Sequence, residues 1–227
     1  MDIIENFRGK LIVSCQALED EPLFVPGYMA KMALAAKLGG AVGIRANSPK
    51  DIKSIKSEID IPVIGIWKQM TKGNDVYITP TIESAREVYN AGADIIAIDC
   101  TFRKNLHGEY AWELIKKIKK ELNVLVMADI STLKEAINAQ REGADLISTT
   151  LSGYTEYTQN LEGPDFKLIQ DISKVVKIPV MAEGRIWSQE DAVKALRAGA
   201  HAVIIGAAIT RPKEITKRFV DAINNYH

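Results

Sequence analysis

The segment Gly92-Ala93-Asp94-Ile95-Ile96-Ala97-Ile98 begins with two small residues and continues as a short apolar run. Such a pattern is typical of a helix that ends at a glycine and a buried parallel strand that follows. The pattern occurs four times, at spacings of 53, 51 and 56 residues, and the other three copies are Gly39-Gly40-Ala41-Val42-Gly43-Ile44, Gly143-Ala144-Asp145-Leu146-Ile147 and Gly199-Ala200-His201-Ala202-Val203-Ile204-Ile205. A period of about 50 residues equals two βα units, so four periods predict a closed (β/α)8 TIM barrel.

Apolar runs along the whole chain agree with this α/β architecture. We predict eight strands, over residues 11–17, 41–46, 62–68, 95–100, 124–130, 146–151, 179–185 and 202–209. Helical patterns are predicted over residues 30–38, 83–90, 111–122, 132–140, 165–175, 189–197 and 215–223. The strands are almost continuously apolar, as expected when helices cover the outer face of a parallel sheet. We expect one barrel domain over residues 1–227.

Composition excludes several classes of function. Lys plus Arg and Asp plus Glu both total 29, so the basic excess of a nucleic-acid-binding protein is missing. The sequence contains no run of about 18 apolar residues and no signal-peptide pattern, so we expect no membrane span and a cytoplasmic protein. Cys15 and Cys100 both lie in predicted strands, and we expect two buried free thiols rather than a disulfide.

Polar residues stand at the predicted C-terminal strand ends, where TIM barrels carry their chemistry. In strand order they are Ser14-Cys15-Gln16, Arg45-Ala46-Asn47, Lys68, Asp99, Asp129, Thr149-Thr150, Glu183-Gly184-Arg185 and Gly206-Ala207-Ala208. A functional site is the favoured interpretation of this ring. The alternative is a set of salt bridges that closes the top of the barrel.

The ends of strands 7 and 8 are predicted to bind a phosphate group. Gly184 and Gly206 would let backbone N–H groups approach an anion closely, and Arg185 and Arg211 lie nearby in the chain. Pro212 suits the first turn of a helix whose N-terminus would favour an anion. The alternative is that the glycines only turn the chain.

Lys68 and Glu183 are the candidate catalytic pair. Strands 3 and 7 are four apart in an eight-stranded barrel, so the two side chains would face a substrate from opposite sides. Inversion of a carbon centre by proton transfer needs one group that removes the proton and another that returns it on the other face. Each residue alone could be part of a structural ion pair, and Lys68 could also form a Schiff base.

The histidines do not indicate a metal site. His107 follows the fourth predicted strand, His201 precedes the eighth at the opposite end of the barrel, and His227 is the last residue. No strand end combines His with a carboxylate cluster, so a metal-dependent sugar-phosphate epimerase is disfavoured and no metal is expected.

The chain resembles the N-acetylmannosamine-6-phosphate 2-epimerase family over essentially its full length. The segments that carry the resemblance are Leu11-Ile12-Val13-Ser14-Cys15-Gln16-Ala17, Glu21-Pro22-Leu23, Gly43-Ile44-Arg45-Ala46, Gly65-Ile66-Trp67-Lys68, Ile78-Thr79-Pro80-Thr81, Ala128-Asp129-Ile130-Ser131, Thr149-Thr150-Leu151-Ser152-Gly153-Tyr154-Thr155 and Ala182-Glu183-Gly184-Arg185.

The resemblance implies a (β/α)8 barrel that interconverts N-acetylmannosamine 6-phosphate and N-acetylglucosamine 6-phosphate in bacterial sialic acid breakdown. It implies no cofactor, and it implies a homodimer. The residues that match the family's functional positions are Lys68 and Glu183 for catalysis, Gln16, Arg45 and Asp129 for substrate binding, and Gly184, Arg185, Gly206 and Arg211 for the phosphate. In this scheme Arg45 or Gln16 would stabilise charge on the C1 oxygen, and Asp129 would orient a substrate hydroxyl or amide.

Two other functions remain open from the sequence. One is a Schiff-base aldolase that acts on a sugar phosphate through Lys68. The other is a phosphosugar-binding barrel without activity, which the presence of both Lys68 and Glu183 disfavours.

Overall fold

Parallel strands form a closed barrel in which each strand pairs with its neighbours in chain order. The structure is a computed structural model that describes residues 2–159 and 161–226. Within those residues, eight strands close the sheet: β1 Leu11–Cys15, β2 Gly43–Asn47, β3 Val63–Ile66, β4 Ile95–Asp99, β5 Leu125–Asp129, β6 Leu146–Ser148, β7 Val180–Glu183 and β8 Ala202–Ile205. Strand β8 pairs with β1 in parallel, which completes the circle. The predicted TIM barrel is therefore confirmed.

Helices alternate with the strands. Their bounds are α1 Ile3–Asn6, α2 Tyr28–Leu38, α3 Pro49–Glu58, α4 Ile82–Asn90, α5 Ala111–Leu122, α6 Leu133–Arg141, α7 Phe166–Val175, α8 Gln189–Arg197, α9 Ala207–Thr210 and α10 Pro212–Asn224. Helices α2, α4, α6 and α8 end just before the repeated glycines. Gly40, Gly92, Gly143 and Gly199 all have φ near +100°, a conformation that terminates a helix and that residues with a Cβ rarely adopt.

Alternate residues of each strand pack on opposite faces of the sheet. One face fills the barrel interior, with Ile12, Ile95 and Met127 among its side chains. The other face packs under the helices, with Val13, Ile96 and Val126 among its side chains. Because both faces are buried, the strands consist mainly of apolar residues. Most of the polar residues stand at or near the C-terminal strand ends, whereas Arg45 lies in the middle of β2.

Several details of the predicted elements are wrong. The sixth predicted strand, 146–151, ends at Ser148, so Thr149 and Thr150 follow it. The eighth predicted strand, 202–209, ends at Ile205, because the chain turns at Gly206 into the short helix α9. Strand β3 ends at Ile66, so Lys68 lies beyond the strand, in an isolated antiparallel bridge with Ile78. Helix α3 was not predicted, although Ser48 caps it and Pro49 occupies its first turn.

The two thiols lie where the sequence places them. Cys15 and Cys100 are buried and free, as predicted. None of the helices in the described parts of the chain combines the length and the apolar character that are needed to cross a lipid bilayer.

Candidate active site

A cavity of about 320 Å³ opens at the C-terminal ends of the strands. Polar side chains from β1, β2, β7 and the following loops line it, and they include Gln16, Arg45, Lys68, Glu183, Arg185 and Arg211. Gly184 and Gly206 also line this cavity. The fold thus brings together nearly all the residues that the sequence singles out, in a space of the size that binds small molecules.

Arg45 crosses the barrel and contacts two carboxylates. Its guanidinium donates to both oxygens of Asp129, at 2.5 and 3.0 Å, and to Oε2 of Glu183 at 2.6 Å. The Arg45 side chain is only 1% exposed. Burial alone would lower its pKa, but the charges of Asp129 and Glu183 outweigh that effect, so the pKa of Arg45 is raised and the guanidinium stays charged.

Asp129 lies beneath Arg45 and does not line the cavity. Its carboxylate is 0% exposed, and besides Arg45 it contacts the hydroxyl of Thr150 at 2.9 Å. The resemblance implies substrate binding for Asp129. In the structure its oxygens accept hydrogen bonds from Arg45 and Thr150, and these contacts hold the Arg45 guanidinium in place. Arg45, Asp129 and Glu183 thus form salt bridges at the top of the barrel, as the alternative interpretation of the polar ring expects.

Lys68 lines the cavity. Asn47 Oδ1 accepts a hydrogen bond from the Lys68 backbone at 2.8 Å, and the bridge to Ile78 holds the same backbone from the other side. The Nζ atom forms no hydrogen bond or ion pair with any residue described in the structure. Burial, followed by the positive charges of Arg45 and Arg211, lowers the pKa of Lys68 to about 8.

Glu183 uses only one of its carboxylate oxygens for contacts with the barrel. Oε2 accepts from Arg45 at 2.6 Å and lies 2.8 Å from the hydroxyl of Thr150 and 3.3 Å from that of Ser148. Burial raises the pKa of Glu183; Arg45 acts in the opposite direction and Asp129 adds to the increase. Oε1 forms no such contact among the residues described here, so one oxygen of an anchored carboxylate remains available.

Lys68 and Glu183 stand on opposite sides of the same cavity. β3 and β7 are separated by three strands in either direction around the closed sheet. Both residues have pKa values shifted towards the neutral range, Lys68 downwards and Glu183 upwards. These opposite shifts bring the two pKa values closer together, which lowers the cost of taking a proton from one face of a carbon and returning one to the other.

The cavity beside β7 and β8 has the features of an anion site. Gly184 has φ of +113°, a conformation that strains any residue with a side chain. Ala207 and Ala208 occupy the first turn of α9, where backbone N–H groups have no acceptor within the helix. Arg211 reaches the cavity with its Nε 3.2 Å from Glu21 Oε1, which fixes the side chain while it keeps further N–H donors.

Arg185 is held mainly by the loop that follows β6. Its guanidinium donates to the carbonyl oxygens of Ser152 at 2.8 Å and Gly153 at 3.3 Å, and it stacks on the ring of Tyr154 at 4.1 Å. Arg185 therefore supplies positive charge near the anion site, and several of its N–H groups are already engaged by this loop.

Two buried polar atoms in this region have no hydrogen-bond partner in the described structure: Oε1 of Gln16 and Nε of Arg45. The Gln16 side chain donates to Ser14 Oγ at 2.8 Å, which leaves its carbonyl oxygen as an acceptor. An unpaired buried polar atom is costly, so both atoms are candidates for contacts with a substrate.

Histidine and carboxylate side chains do not form a metal-binding group anywhere in residues 2–159 and 161–226. His201 contacts the carbonyl oxygen of Ile4 at 2.8 Å, at the end of the barrel away from the cavity. His107 is an exposed loop residue, and His227 lies outside the described residues.

The sequence comparisons point to one family. Residues 29–225 match the model of a family described as "Putative N-acetylmannosamine-6-phosphate epimerase". A protein of Caldanaerobacter subterraneus is 57% identical over 98% of this chain and 94% of its own, and one of Clostridioides difficile is 51% identical over 97% and 99%. Both are named "Putative N-acetylmannosamine-6-phosphate 2-epimerase".

A solved structure agrees with these relatives. The N-acetylmannosamine-6-phosphate 2-epimerase from Clostridium perfringens superposes with a TM-score of 0.95 at 46% identity, covering 98% of this chain and 96% of that one. A thiamine phosphate pyrophosphorylase from Pyrococcus furiosus has a TM-score of 0.63 at 18% identity, covering 95% of this chain and 93% of that one, and shares the fold alone.

Proposed function

Because this chain belongs to the N-acetylmannosamine-6-phosphate epimerase family, we propose that it interconverts N-acetylmannosamine 6-phosphate and N-acetylglucosamine 6-phosphate. The enzyme class is that of an N-acylglucosamine-6-phosphate 2-epimerase, and the reaction inverts C2 by removing and returning its proton. One observation carries the mechanism: Lys68 and Glu183 face one cavity from opposite strands, and both have pKa values shifted towards neutrality.

The chemistry follows from the open-chain form of the sugar. The C1 aldehyde makes the C2 proton acidic, and its removal gives an enolate. One member of the Lys68/Glu183 pair takes the proton, and the other, which carries the pair's single proton, delivers it to the opposite face of C2. The free Oε1 of Glu183 and the free Nζ of Lys68 are the atoms that would exchange protons with the substrate. In the reverse direction the two residues exchange roles.

The enolate needs stabilisation of the negative charge on its C1 oxygen. Arg45 supplies a buried positive charge beside the cavity, but its terminal nitrogens already hold Asp129 and Glu183. Its Nε is a donor without a hydrogen-bond partner among the described residues. We propose that Arg45 acts mainly through its charge and through the position it gives to Glu183.

The phosphate group is proposed to bind beside β7 and β8. Gly184 and Gly206 permit close approach to the backbone, the first turn of α9 contributes N–H donors, and Arg211 and Arg185 contribute positive charge. Gln16 Oε1 would accept a hydrogen bond from a substrate hydroxyl or amide.

The relatives reported above do not favour a Schiff-base aldolase or a non-catalytic phosphosugar-binding protein. The direct experiment is incubation of the protein with N-acetylmannosamine 6-phosphate while NMR follows the appearance of N-acetylglucosamine 6-phosphate. We expect both epimers to be present at equilibrium, whichever one is supplied. Absence of the second epimer with the unaltered protein would contradict the proposed function.

We further propose a cytoplasmic homodimer. Helix α10 exposes Phe219, Val220 and Ile223, and a second copy of the chain could cover these apolar side chains. The two free thiols are typical of a reducing compartment. Light scattering at micromolar concentration tests the dimer, and a monomeric mass would contradict it; cell fractionation tests the location.

A further inference from the structure

Tyr77 is a cavity residue that neither the sequence motifs nor the proposed mechanism uses. It follows a loop that begins after Lys68 and folds back on it: the Gln69 backbone donates to the Tyr77 carbonyl at 2.9 Å, and Lys68 pairs with Ile78. The aromatic ring packs against the apolar interior of the barrel. The same backbone pairing therefore positions Tyr77 and the catalytic lysine on one wall of the cavity.

The hydroxyl of Tyr77 has no hydrogen-bond partner among the residues that the structure describes. Tyr157, which does not line the cavity, differs in this respect, because its hydroxyl donates a hydrogen bond to Glu135 at 2.6 Å. A tyrosine hydroxyl that is half-buried in a polar site normally donates a hydrogen bond to a nearby acceptor. The unused donor of Tyr77 is consistent with a partner supplied by the substrate.

The position of Tyr77 indicates which end of the substrate it meets. The proposed phosphate site lies beside β7 and β8, whereas Tyr77 lies with Lys68 beside β3, on the opposite wall. A sugar 6-phosphate bound across the cavity would place C6 at the first wall and C2 between Lys68 and Glu183, with C1 and the acetamido group turned towards the second wall. The acceptors near Tyr77 would then be the C1 oxygen and the carbonyl oxygen of the acetamido group on C2.

Electrostatics favours the acetamido oxygen over the C1 oxygen. Burial, followed by the negative charges of Asp99 and Asp129, raises the pKa of Tyr77 and keeps its hydroxyl protonated. The same two carboxylates disfavour a developing negative charge beside the Tyr77 hydroxyl, and the charges of Arg103 and Arg45 offset them only in part. The hydroxyl is a good donor to a neutral amide carbonyl, whereas the C1 oxygen, which becomes negative, is better served by the cationic Arg45 and Lys68.

We propose that Tyr77 recognises the acetamido group of the substrate by donating a hydrogen bond to its carbonyl oxygen. This inference rests on the proposed function. It makes Tyr77 a specificity-determining residue, one that separates 2-acetamido sugar phosphates from 2-hydroxy sugar phosphates of the same size and charge.

The test uses two ligands that cannot react, because reduction of C1 to an alcohol removes the acidity of the C2 proton. They are N-acetylglucosaminitol 6-phosphate, which carries the acetamido group, and glucitol 6-phosphate, which does not. Calorimetry measures the affinity of both for the unaltered protein and for Tyr77→Phe. Tyr89→Phe is the matched control, since it removes a tyrosine hydroxyl from the exposed surface of α4.

We expect Tyr77→Phe to weaken the acetamido ligand about three- to tenfold, the scale of one neutral hydrogen bond, and to change glucitol 6-phosphate less than about twofold. Tyr89→Phe should change neither affinity. Equal weakening of both ligands would overturn the proposal, because it would indicate a contact with the C1 oxygen or a structural role. Unchanged binding of both would also overturn it. Turnover of N-acetylmannosamine 6-phosphate by the unaltered protein tests the proposed function separately.

Discussion

Asp129→Ala should destabilise the barrel strongly, because it removes a buried partner of a buried charge. Asp129 is 0% exposed and accepts two hydrogen bonds from Arg45, whose side chain is 1% exposed. Without Asp129, the carboxylate that the guanidinium still contacts, among residues 2–159 and 161–226, is that of the partly exposed Glu183. Its second terminal nitrogen, NH2, loses the contact at 2.5 Å and faces the space left by the deleted carboxylate.

The expected loss of unfolding free energy is about 3–5 kcal/mol, the cost of removing one member of a buried ion pair. For a chain of this length that corresponds to a decrease in Tm of about 6–20 °C. Asp129→Asn should cost less, because its amide oxygen can still accept from Arg45. Turnover should also decrease in both variants, since Arg45 positions Oε2 of Glu183.

Urea unfolding followed by circular dichroism measures the change in free energy. Asp171→Ala is the matched control: its ion pair with Lys167 is 2.6 Å long, but the two side chains are 34% and 83% exposed, so its removal should cost less than about 1 kcal/mol. If Asp129→Ala also costs less than about 1 kcal/mol, the buried network does not hold Arg45 as described, and the role assigned to Asp129 is wrong.

Two further predictions concern the reaction. The two-group mechanism needs one proton on the Lys68/Glu183 pair, so epimerisation should decline as the pH rises through about 8, where Lys68 loses that proton. It should also decline at acid pH, when both groups are protonated. A rate that increases through pH 8 and then stays constant would instead indicate Lys68 as a single base. Arg211→Ala should weaken binding of the phosphorylated sugar and hardly change residual activity on N-acetylmannosamine; equal losses on both substrates would mean that Arg211 does not bind the phosphate.

The sequence alone predicts the fold and the opposite positions of the proposed catalytic pair. The repeated glycines that end helices indicate the number of βα units. Lys68 and Glu183 follow strands that are four apart, so the strand order by itself predicts that they lie across the barrel from each other. Strand limits are less certain, because an apolar run does not show where pairing ends. Gly206-Ala207-Ala208-Ile209 continues the apolar run of the eighth strand, yet residues from Ala207 onwards form α9.

The contacts of the site are harder to predict, because side chains join residues that are distant in the chain. Arg45 contacts Asp129 and Glu183 across separations of 84 and 138 residues. Periodicity places Asp129 at a strand end but does not show that its carboxylate lies below Arg45, away from the cavity. Tyr77 carries no sequence signal, since it reaches the cavity only because the loop folds back beside Lys68.

The most direct test of the central claim is exchange of the C2 hydrogen in deuterated water, followed by NMR for each epimer separately. The unaltered protein should place deuterium at C2 of the product. Lys68→Ala and Glu183→Gln should each lose epimerisation by about two to four orders of magnitude. Each should still exchange the C2 hydrogen of one epimer, and the two variants should act on different epimers, because each retains the group on one face. Product that keeps the substrate's C2 hydrogen, or a Glu183→Gln variant that epimerises within a few-fold of the normal rate, would contradict the account.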